Sequence, residues 1–283
     1  MPASPLALLL PFVISLLIPL GLRFGLGAER AQRFGSIGAP LVFLISWGVI
    51  VRPGWLAYDP LGRIGHIVVG GMLLGLLLDT FIQRRVLVIA AAAIYIAVCA
   101  WMEAVGGVWP KQVTTGMFAA FVVGAAVGGG LLWRIDLLRR SEQPYIASTT
   151  ATLLQLTLMA ASLALVAGVA EDVPLRAGAM ILAAVIAGYL VFSAVFALEL
   201  DNLMVLVLGG ALFGIAWALV ERNHAAAPGV ALSGLILFAE GTAQRVSLPK
   251  AGISRILYPL ILAITALGPI LLAALLTYAV RAT

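Results

Sequence analysis

Long apolar stretches separated by short polar breaks run along the whole chain. Most of these stretches have about 20 residues, the length at which an α-helix crosses the hydrocarbon core of a bilayer. Because the breaks are short and hold most of the charged residues, the pattern predicts ten membrane-spanning helices. The predicted spans are residues 5–22, 36–52, 64–82, 86–104, 115–134, 148–170, 176–198, 202–220, 226–244 and 254–279.

The amino-acid composition also indicates a membrane protein. Of the 283 residues, 63% are hydrophobic and 10% are charged, whereas soluble domains carry roughly 25% charged residues. The expected fold is an all-α, polytopic helical bundle that forms one transmembrane domain over residues 1–283, with the lipid bilayer as its surroundings. The net charge of +5 comes from basic residues scattered among short loops, so no nucleic-acid partner is expected.

The distribution of basic residues predicts the orientation in the membrane. The first apolar stretch has no charged side chain before Arg23, so it is interpreted as a span and not as a cleaved secretory signal. With the N-terminus outside, eleven Lys and Arg residues fall on the cytoplasmic side and six on the outer side. This asymmetry follows the positive-inside rule. We therefore expect a bacterial inner-membrane protein with both termini outside.

A glycine-rich sequence occurs twice, 139 positions apart. Residues 68–75 read VVGGMLLG, and residues 207–214 read VLGGALFG. Glycines on one helix face let a neighbouring backbone approach closely. The predicted helix-contact positions are Gly70, Gly71, Gly75, Gly209, Gly210 and Gly214. Because each half would hold five spans, we expect half-repeats at residues 1–140 and 141–283 with inverted membrane topology.

Acidic residues recur at corresponding positions of the two halves. Glu103 and Glu240 both end a predicted span, and Asp59 and Asp201 both precede one. An ionisable group in the bilayer is costly unless it faces protein or water, so such groups indicate an ion or substrate pathway. We hypothesise that Glu103 and Glu240 carry proton or cation coupling. Interfacial ion pairs and helix caps are the alternative interpretations.

Four further polar residues are candidates for the same pathway. Gln244 and Arg245 follow Glu240 where the ninth span could unwind, and Arg245 could pair with that carboxylate. Glu199 lies in the tight turn before the eighth span. Gln155 belongs to a polar stripe on the sixth span. Such a stripe either lines a cavity or forms hydrogen bonds between packed membrane helices.

The sequence contains no signature of a known catalytic site. It lacks a Gly-x-Ser-x-Gly nucleophile turn, a nucleotide-binding loop and a cysteine metal cluster, since Cys99 is the single cysteine. His66 and His224 are both predicted on the outer face, where they could bind a metal only if the fold brings them together. No cofactor is predicted, and a non-enzymatic role is favoured.

These features favour a small secondary transporter, or a translocator of lipids or solutes, that is coupled to an ion gradient. Its substrate would be a small molecule, an ion or a lipid. The first alternative is a noncatalytic subunit or scaffold of a larger complex, which would bind other membrane proteins. Purification as a monomer or a homodimer would favour the transporter, and purification only with specific partners would favour the subunit. The second alternative is a membrane enzyme with a metal site on its outer face.

Overall fold

Helices account for all the regular secondary structure in the described part of the chain. The computed structural model describes residues 5–26, 28–54, 59–82, 84–107, 112–141, 146–196, 198–246 and 254–282. The α-helices are α1 (Pro5–Leu26), α2 (Ala28–Ser46), α3 (Pro60–Phe81), α4 (Arg85–Ala104), α5 (Thr115–Arg140), α6 (Ser148–Val169), α7 (Val173–Phe196), α8 (Asn202–Arg222), α9 (Ala227–Gly234), α10 (Ala239–Ala243) and α11 (Ser254–Ala282). A π-helical turn, Trp47–Val51, continues α2.

Eight helical segments are long and apolar enough to cross a membrane. They are helices α3 to α8, the segment His224–Ala243, and Leu257–Ala282 of α11. Two further apolar stretches, Leu9–Gly25 in α1 and Ser36–Val51 in α2, are shorter. The chain is thus an all-helical membrane bundle, which is the class that its composition predicted.

Side-chain caps determine where two of the central helices begin. The first turn of a helix has backbone N–H groups without helical partners, and an aspartate before it can accept their hydrogen bonds. Asp59 accepts from the Leu61 N–H at 3.2 Å before α3, and Asp201 accepts from the Met204 N–H at 2.8 Å before α8. These two acids, which the sequence made pathway candidates, are helix caps in the structure.

Helix α8 lies at the centre of the bundle. It packs against helices α2 to α7 and α9, and most of its length is buried. By contrast, α4, α5 and α11 expose most of their apolar side chains. Because lipid tails are as apolar as leucine, such exposure is expected of helices that face the bilayer. Side chains next to α8 are therefore shielded from lipid by the surrounding helices.

Glycines let α3 and α8 pack in close contact. A Cβ atom at Gly75 would overlap the Cα atom of Leu203, and a Cβ atom at Gly214 would lie 3.2 Å from Cγ1 of Ile64. The two helices are antiparallel, so the glycine-rich end of each lies against the start of the other. The contacts are reciprocal, because Gly75 and Gly214 are 139 positions apart and so are Ile64 and Leu203.

Tyr95 of α4 covers the middle of this helix crossing. Its hydroxyl donates a hydrogen bond to the carbonyl oxygen of Ile67 at 2.9 Å and lies 3.4 Å from the carbonyl oxygen of Leu206. A Cβ atom at Gly71 would lie 2.8 Å from the tyrosine oxygen, and one at Gly210 would overlap it. The absence of side chains at these two positions therefore makes room for the tyrosine.

The other two glycines of the repeated sequence face different helices. A Cβ atom at Gly70 would lie 3.8 Å from the ring of Tyr95 on α4, and one at Gly209 would overlap Leu132 of α5. In the second repeat the two adjacent glycines thus meet different residues, Leu132 and Tyr95, whereas in the first repeat both meet Tyr95.

The ninth predicted span is not one continuous α-helix. A 3₁₀ turn, His224–Ala226, leads into α9, and a second 3₁₀ segment, Leu235–Phe238, separates α9 from the short α10. Glu240 lies in the first turn of α10. The sequence suggested unwinding at Glu240 and the residues after it, whereas the structure has the irregular segment before Glu240 and an α-helical turn at Ala239–Ala243.

Candidate functional site

A buried arginine lies between two carboxylates at one end of the α3 and α8 pair. Arg63 is 0% exposed, and its Nε atom lies 3.1 Å from Oε2 of Glu103, which is also 0% exposed. Arg63 Nη2 donates to Oε2 of Glu221, whose side chain is 37% exposed. We call these three residues the Arg63 cluster. Glu221 is 158 positions from Arg63, so the cluster forms only in the folded chain.

Three helix ends position the Arg63 cluster. The Asp59 cap starts α3, which places Arg63 in the first turn of that helix. Glu103 is in the last turn of α4, and its carbonyl oxygen accepts a hydrogen bond from Arg63 Nη1 at 3.2 Å. The chain turns away after α4 at Gly106, whose φ of 66° is unfavourable for residues with side chains. Glu221 comes from the last turn of α8.

The hydrogen bonding of Glu103 leaves its carboxylate incompletely satisfied. Neither of its carboxylate oxygens accepts a hydrogen bond from the described residues, and its attraction to Arg63 is an ion pair without hydrogen-bond alignment. Buried carboxylates are normally paired and fully hydrogen-bonded, because the interior solvates charge poorly. This carboxylate can therefore gain stabilisation from a proton or a bound cation.

The opposite end of the α3 and α8 pair is held by Asp79. This residue of the last α3 turn accepts hydrogen bonds from the Leu203 N–H at 2.9 Å, the Asn202 N–H at 3.2 Å and Asn202 Nδ2 at 2.7 Å. It therefore satisfies free N–H groups at the start of α8. The two ends of the pair are therefore held in the same way. Asp79, at the end of α3, binds the start of α8, and Glu221, at the end of α8, binds Arg63 at the start of α3.

A network of charged residues extends from Asn202 to α5. Arg139 Nη2 donates to Asn202 Oδ1 at 2.8 Å, and Nη1 donates to the Leu200 carbonyl at 3.0 Å. Asp136 forms ion pairs with Arg139 at 2.6 Å and with Arg140 at 2.9 Å. We call Asp136, Arg139, Arg140 and Asn202 the Arg139 cluster. It contains one more cation than anion.

Asp201 lies beside this network, immediately before the first residue of α8. Burial raises the pKa of its carboxyl from 3.8 to about 6, and hydrogen bonds from Ser36 and from the Met204 N–H partly oppose that increase. Nearby Asp79 adds a smaller increase, and Arg139 a smaller decrease. The helix cap of α8 therefore titrates closer to neutral pH than an ordinary aspartate does.

A cavity of ≈ 370 Å³ lies between α3, α4, α5 and α8 and reaches the Arg139 cluster. Its wall is mainly apolar. The lining residues are Leu78, Val88, Ile89, Ala92, Ala93, Ile96, Ala125, Gly129, Leu132, Val205 and Leu206, together with the four residues of the Arg139 cluster. An apolar chamber with a few polar groups at one end is typical of small-molecule sites.

Glu240, the second predicted coupling acid, lies at a different site. Its Oε2 atom is 3.6 Å from Arg134 Nη2, and its Oε1 atom accepts from Gln244 Nε2 at 2.8 Å. Arg134 also donates to the Leu237 carbonyl at 3.0 Å and covers the Phe238 ring at 4.7 Å. Arg134 of α5 thus holds the irregular ninth span at several points. The sequence had suggested Arg245, whose side chain is exposed.

The remaining predicted residues are scattered. Glu199 is exposed, and both His66 and His224 are exposed. Among the described residues, no group of three or more His, Cys, Asp or Glu side chains could hold a metal ion. Gln155 is 0% exposed, and its amide group has no hydrogen-bond partner within the described ranges. The structure therefore does not bring the predicted candidates together at one point.

Several residues of the site were missed by sequence reasoning. Arg63 was assigned to an outer loop, because the predicted third span began at residue 64, one turn too late. The combination of Asp59 and Pro60 was the available signal, since both residue types are favoured where a helix begins. Glu221, Asp79 and Arg139 carried no comparable signal, because their partners are distant in sequence.

Comparison with known protein families and with curated proteins identifies no match to this chain.

Proposed function

We propose that this protein is a small secondary transporter, or a translocator of lipids or solutes, with ion coupling at the Arg63 cluster. The observation that supports coupling is the charge balance, because one buried guanidinium faces two carboxylates. With both acids ionised, the cluster holds one excess negative charge in a poorly solvated region, which is costly. A proton on Glu103, or a bound monovalent cation, removes this excess.

The two carboxylates of the cluster have different access to water. Glu221 is 37% exposed, whereas Glu103 is 0% exposed. In this proposal an ion enters at Glu221 and is held at Glu103. Arg63 contacts both acids, so neutralising Glu103 frees the guanidinium to bind Glu221 more strongly. The ion thus changes the contacts that the start of α3, through Arg63, makes with the ends of α4 and α8.

We further propose ten spans in two inverted halves, 1–140 and 141–283. The reciprocal glycine contacts of α3 and α8, at a constant separation of 139 positions, support a two-fold relation in the membrane plane. Equivalent helix pairs also pack in both halves: α1 on α2 as α6 on α7, and α4 on α5 as α9 on α11. The acids that join the two ends of the α3 and α8 pair, Asp79 and Glu221, correspond within three residues of that separation.

The two ends of the α3 and α8 pair suggest one state of a transport cycle. At one end Arg63 and Glu103 are buried, and at the other end the cavity reaches the Arg139 cluster. Inverted halves can exchange their shapes and so expose a central site to each side in turn. The topology predicted from the basic residues places the Arg139 cluster on the cytoplasmic side and Glu221 on the outer side, so in this state the cavity would be reached from the cytoplasm and Glu221 from the outside.

Glu240 receives a different role in this proposal. Arg134 provides a counter-charge for it, whereas Glu103 shares its arginine with a second acid. We therefore assign coupling to Glu103 and assign Glu240 to holding the short α10 against α5.

Charge displacement on a solid-supported membrane tests the coupling without knowledge of the substrate. Purified protein in proteoliposomes is exposed to steps in pH or in Na⁺ concentration, and the capacitive current is recorded. We expect a transient current in the natural protein, because the bound ion moves from water to a buried site. Glu103→Gln should reduce the displaced charge at least tenfold, since the cluster is then neutral without an ion.

Glu199→Gln is the matched control, because Glu199 is exposed and is not part of either cluster. It should keep the current of the natural protein. The proposal is wrong if the natural protein shows no current after either step, or if Glu103→Gln displaces as much charge as the control.

A further inference from the structure

The cavity between α3, α4, α5 and α8 combines apolar walls with a cationic end. Its walls consist of Leu, Ile, Val, Ala and Gly residues, and the Arg139 cluster lies at one end. An apolar ligand without a charged group would gain nothing from that end. A fully polar solute would lose hydration against the walls without compensation. The cavity therefore fits a molecule that has both an apolar chain and a polar head group.

The charge at this end of the cavity selects the sign of that head group. Asp136 already contacts two arginines, so a cationic head group would have to compete with both of them. Arg139 uses its three nitrogen atoms on Asp136, Asn202 and the Leu200 carbonyl. Arg140 uses only Nε, and its two terminal nitrogens have no partner among the described residues. Arg140 can therefore bind an anion.

A second arginine, Arg85, lies at the start of α4. Arg85 is the first residue of α4 and precedes the cavity residues Val88 and Ile89 by three and four positions, so all three share one helix face. Arg85 is exposed and makes no ion pair within the described ranges. The end of α5 thus presents an arginine with free donors at the cavity, and the start of α4 carries a second, exposed arginine on the helix face that lines it.

We propose that the cavity binds a single-chain amphiphile with a phosphate head group, with the chain against α3, α4, α5 and α8 and the phosphate at Arg140 and Arg85. Arginine suits this role, because its planar donor group can bind two phosphate oxygens at once. The proposal that this ligand is the transported substrate rests on the transport function proposed above. The binding itself does not.

Equilibrium binding of radiolabelled dodecyl phosphate to the purified full chain in a neutral maltoside detergent tests the site. We expect saturable binding of about one molecule per chain. Dodecyltrimethylammonium, which has the same chain length and the opposite charge, should not compete. Inorganic phosphate should compete at least a hundredfold more weakly, because it lacks the apolar chain. Equal competition by inorganic phosphate would mean that the cavity walls take no part, and would overturn the proposal.

Two neighbouring glycines of α5 provide a matched pair of variants for the chamber. Gly129 lines the cavity, and a Cβ atom there would meet nothing within 4 Å. Gly130 is equally open but is not among the cavity residues. Gly129→Leu should fill the chamber and weaken binding at least tenfold, whereas Gly130→Leu should bind as the natural chain does. Equal binding by the two variants would contradict the proposed position of the chain.

A second pair of variants tests the head-group contact. Arg140→Gln should weaken dodecyl phosphate binding roughly tenfold or more, as expected for loss of a charge-assisted hydrogen bond. Arg52→Gln, at an exposed arginine outside the cavity, makes the same change in net charge and should have no effect. Equal weakening by both variants would indicate general electrostatic attraction and contradict a site at Arg140.

These measurements separate the ligand from the transport function. If dodecyl phosphate binds as expected but no ion-driven charge displacement occurs, only the coupling is wrong. If the charge displacement depends on Glu103 but dodecyl phosphate does not bind, only the ligand assignment is wrong.

Discussion

Replacing Gly75 by alanine should separate α3 from α8. The added Cβ atom would overlap the backbone Cα atom of Leu203, which cannot rotate away as a side-chain terminus could. Overpacking in a close-packed interior typically costs about 1–3 kcal/mol, and a backbone clash belongs at the upper end of that range. Alanine also favours the helix over glycine by up to about 1 kcal/mol. We therefore expect a net loss of about 2 kcal/mol.

Thermal unfolding of the purified protein in detergent provides the measurement. For a chain of this size, about 2 kcal/mol corresponds to a decrease of roughly 4–8 °C in the midpoint. The control is Gly129→Ala, at which the Cβ atom would meet nothing within 4 Å. It should leave the midpoint unchanged or raise it, because only the helix propensity changes. If Gly75→Ala unfolds at the same temperature as this control, α3 and α8 do not pack as described.

Three further perturbations address the two ends of the helix pair. Arg63→Met leaves two acids without their cation and should destabilise the protein by about 3–5 kcal/mol; adding Glu103→Gln should restore part of that loss, and denaturant unfolding of both variants measures it. Asp79→Ala removes three hydrogen bonds to the start of α8 and should lower the thermal midpoint by roughly 2–4 °C; Asp79→Asn, which keeps the acceptor oxygen, should lose less. The folded state raises the Asp201 pKa to about 6 from 3.8, so this group adds stability below about pH 4 and loses that contribution as pH rises through about 6. This titration lowers the thermal midpoint at pH 7 relative to pH 4, and Asp201→Asn should remove that contribution. If the midpoints of the variant at pH 4 and pH 7 differ as those of the natural protein do, the titration does not belong to this carboxyl.

The class of fold could be predicted because the bilayer leaves few alternatives. Every backbone polar group in lipid needs an internal partner, so an apolar stretch of sufficient length is a helix. Boundaries were less predictable where capping residues lie outside the apolar stretch. Asp59 and Pro60 extend α3 by a turn beyond its predicted start, which brings Arg63 into the bundle.

The candidate site was only partly predictable. The sequence selected Glu103 because an acid at a span end is rare in so apolar a chain, and the structure places that acid in the Arg63 cluster. It could not select Glu221, because the contact with Arg63 depends on how α3 and α8 cross. For the same reason it suggested a neighbour in sequence as the partner of Glu240, whereas Arg134 reaches that acid from α5.

The hydroxyl of Tyr95 gives the helix crossing two equivalent bonding arrangements. It has one proton and two carbonyl acceptors, Ile67 at 2.9 Å and Leu206 at 3.4 Å, which belong to corresponding positions of α3 and α8. A small sliding of one helix along the other would shorten the second distance and lengthen the first. The proton could then rotate from one acceptor to the other, so the number of hydrogen bonds in the membrane interior would stay the same throughout the movement.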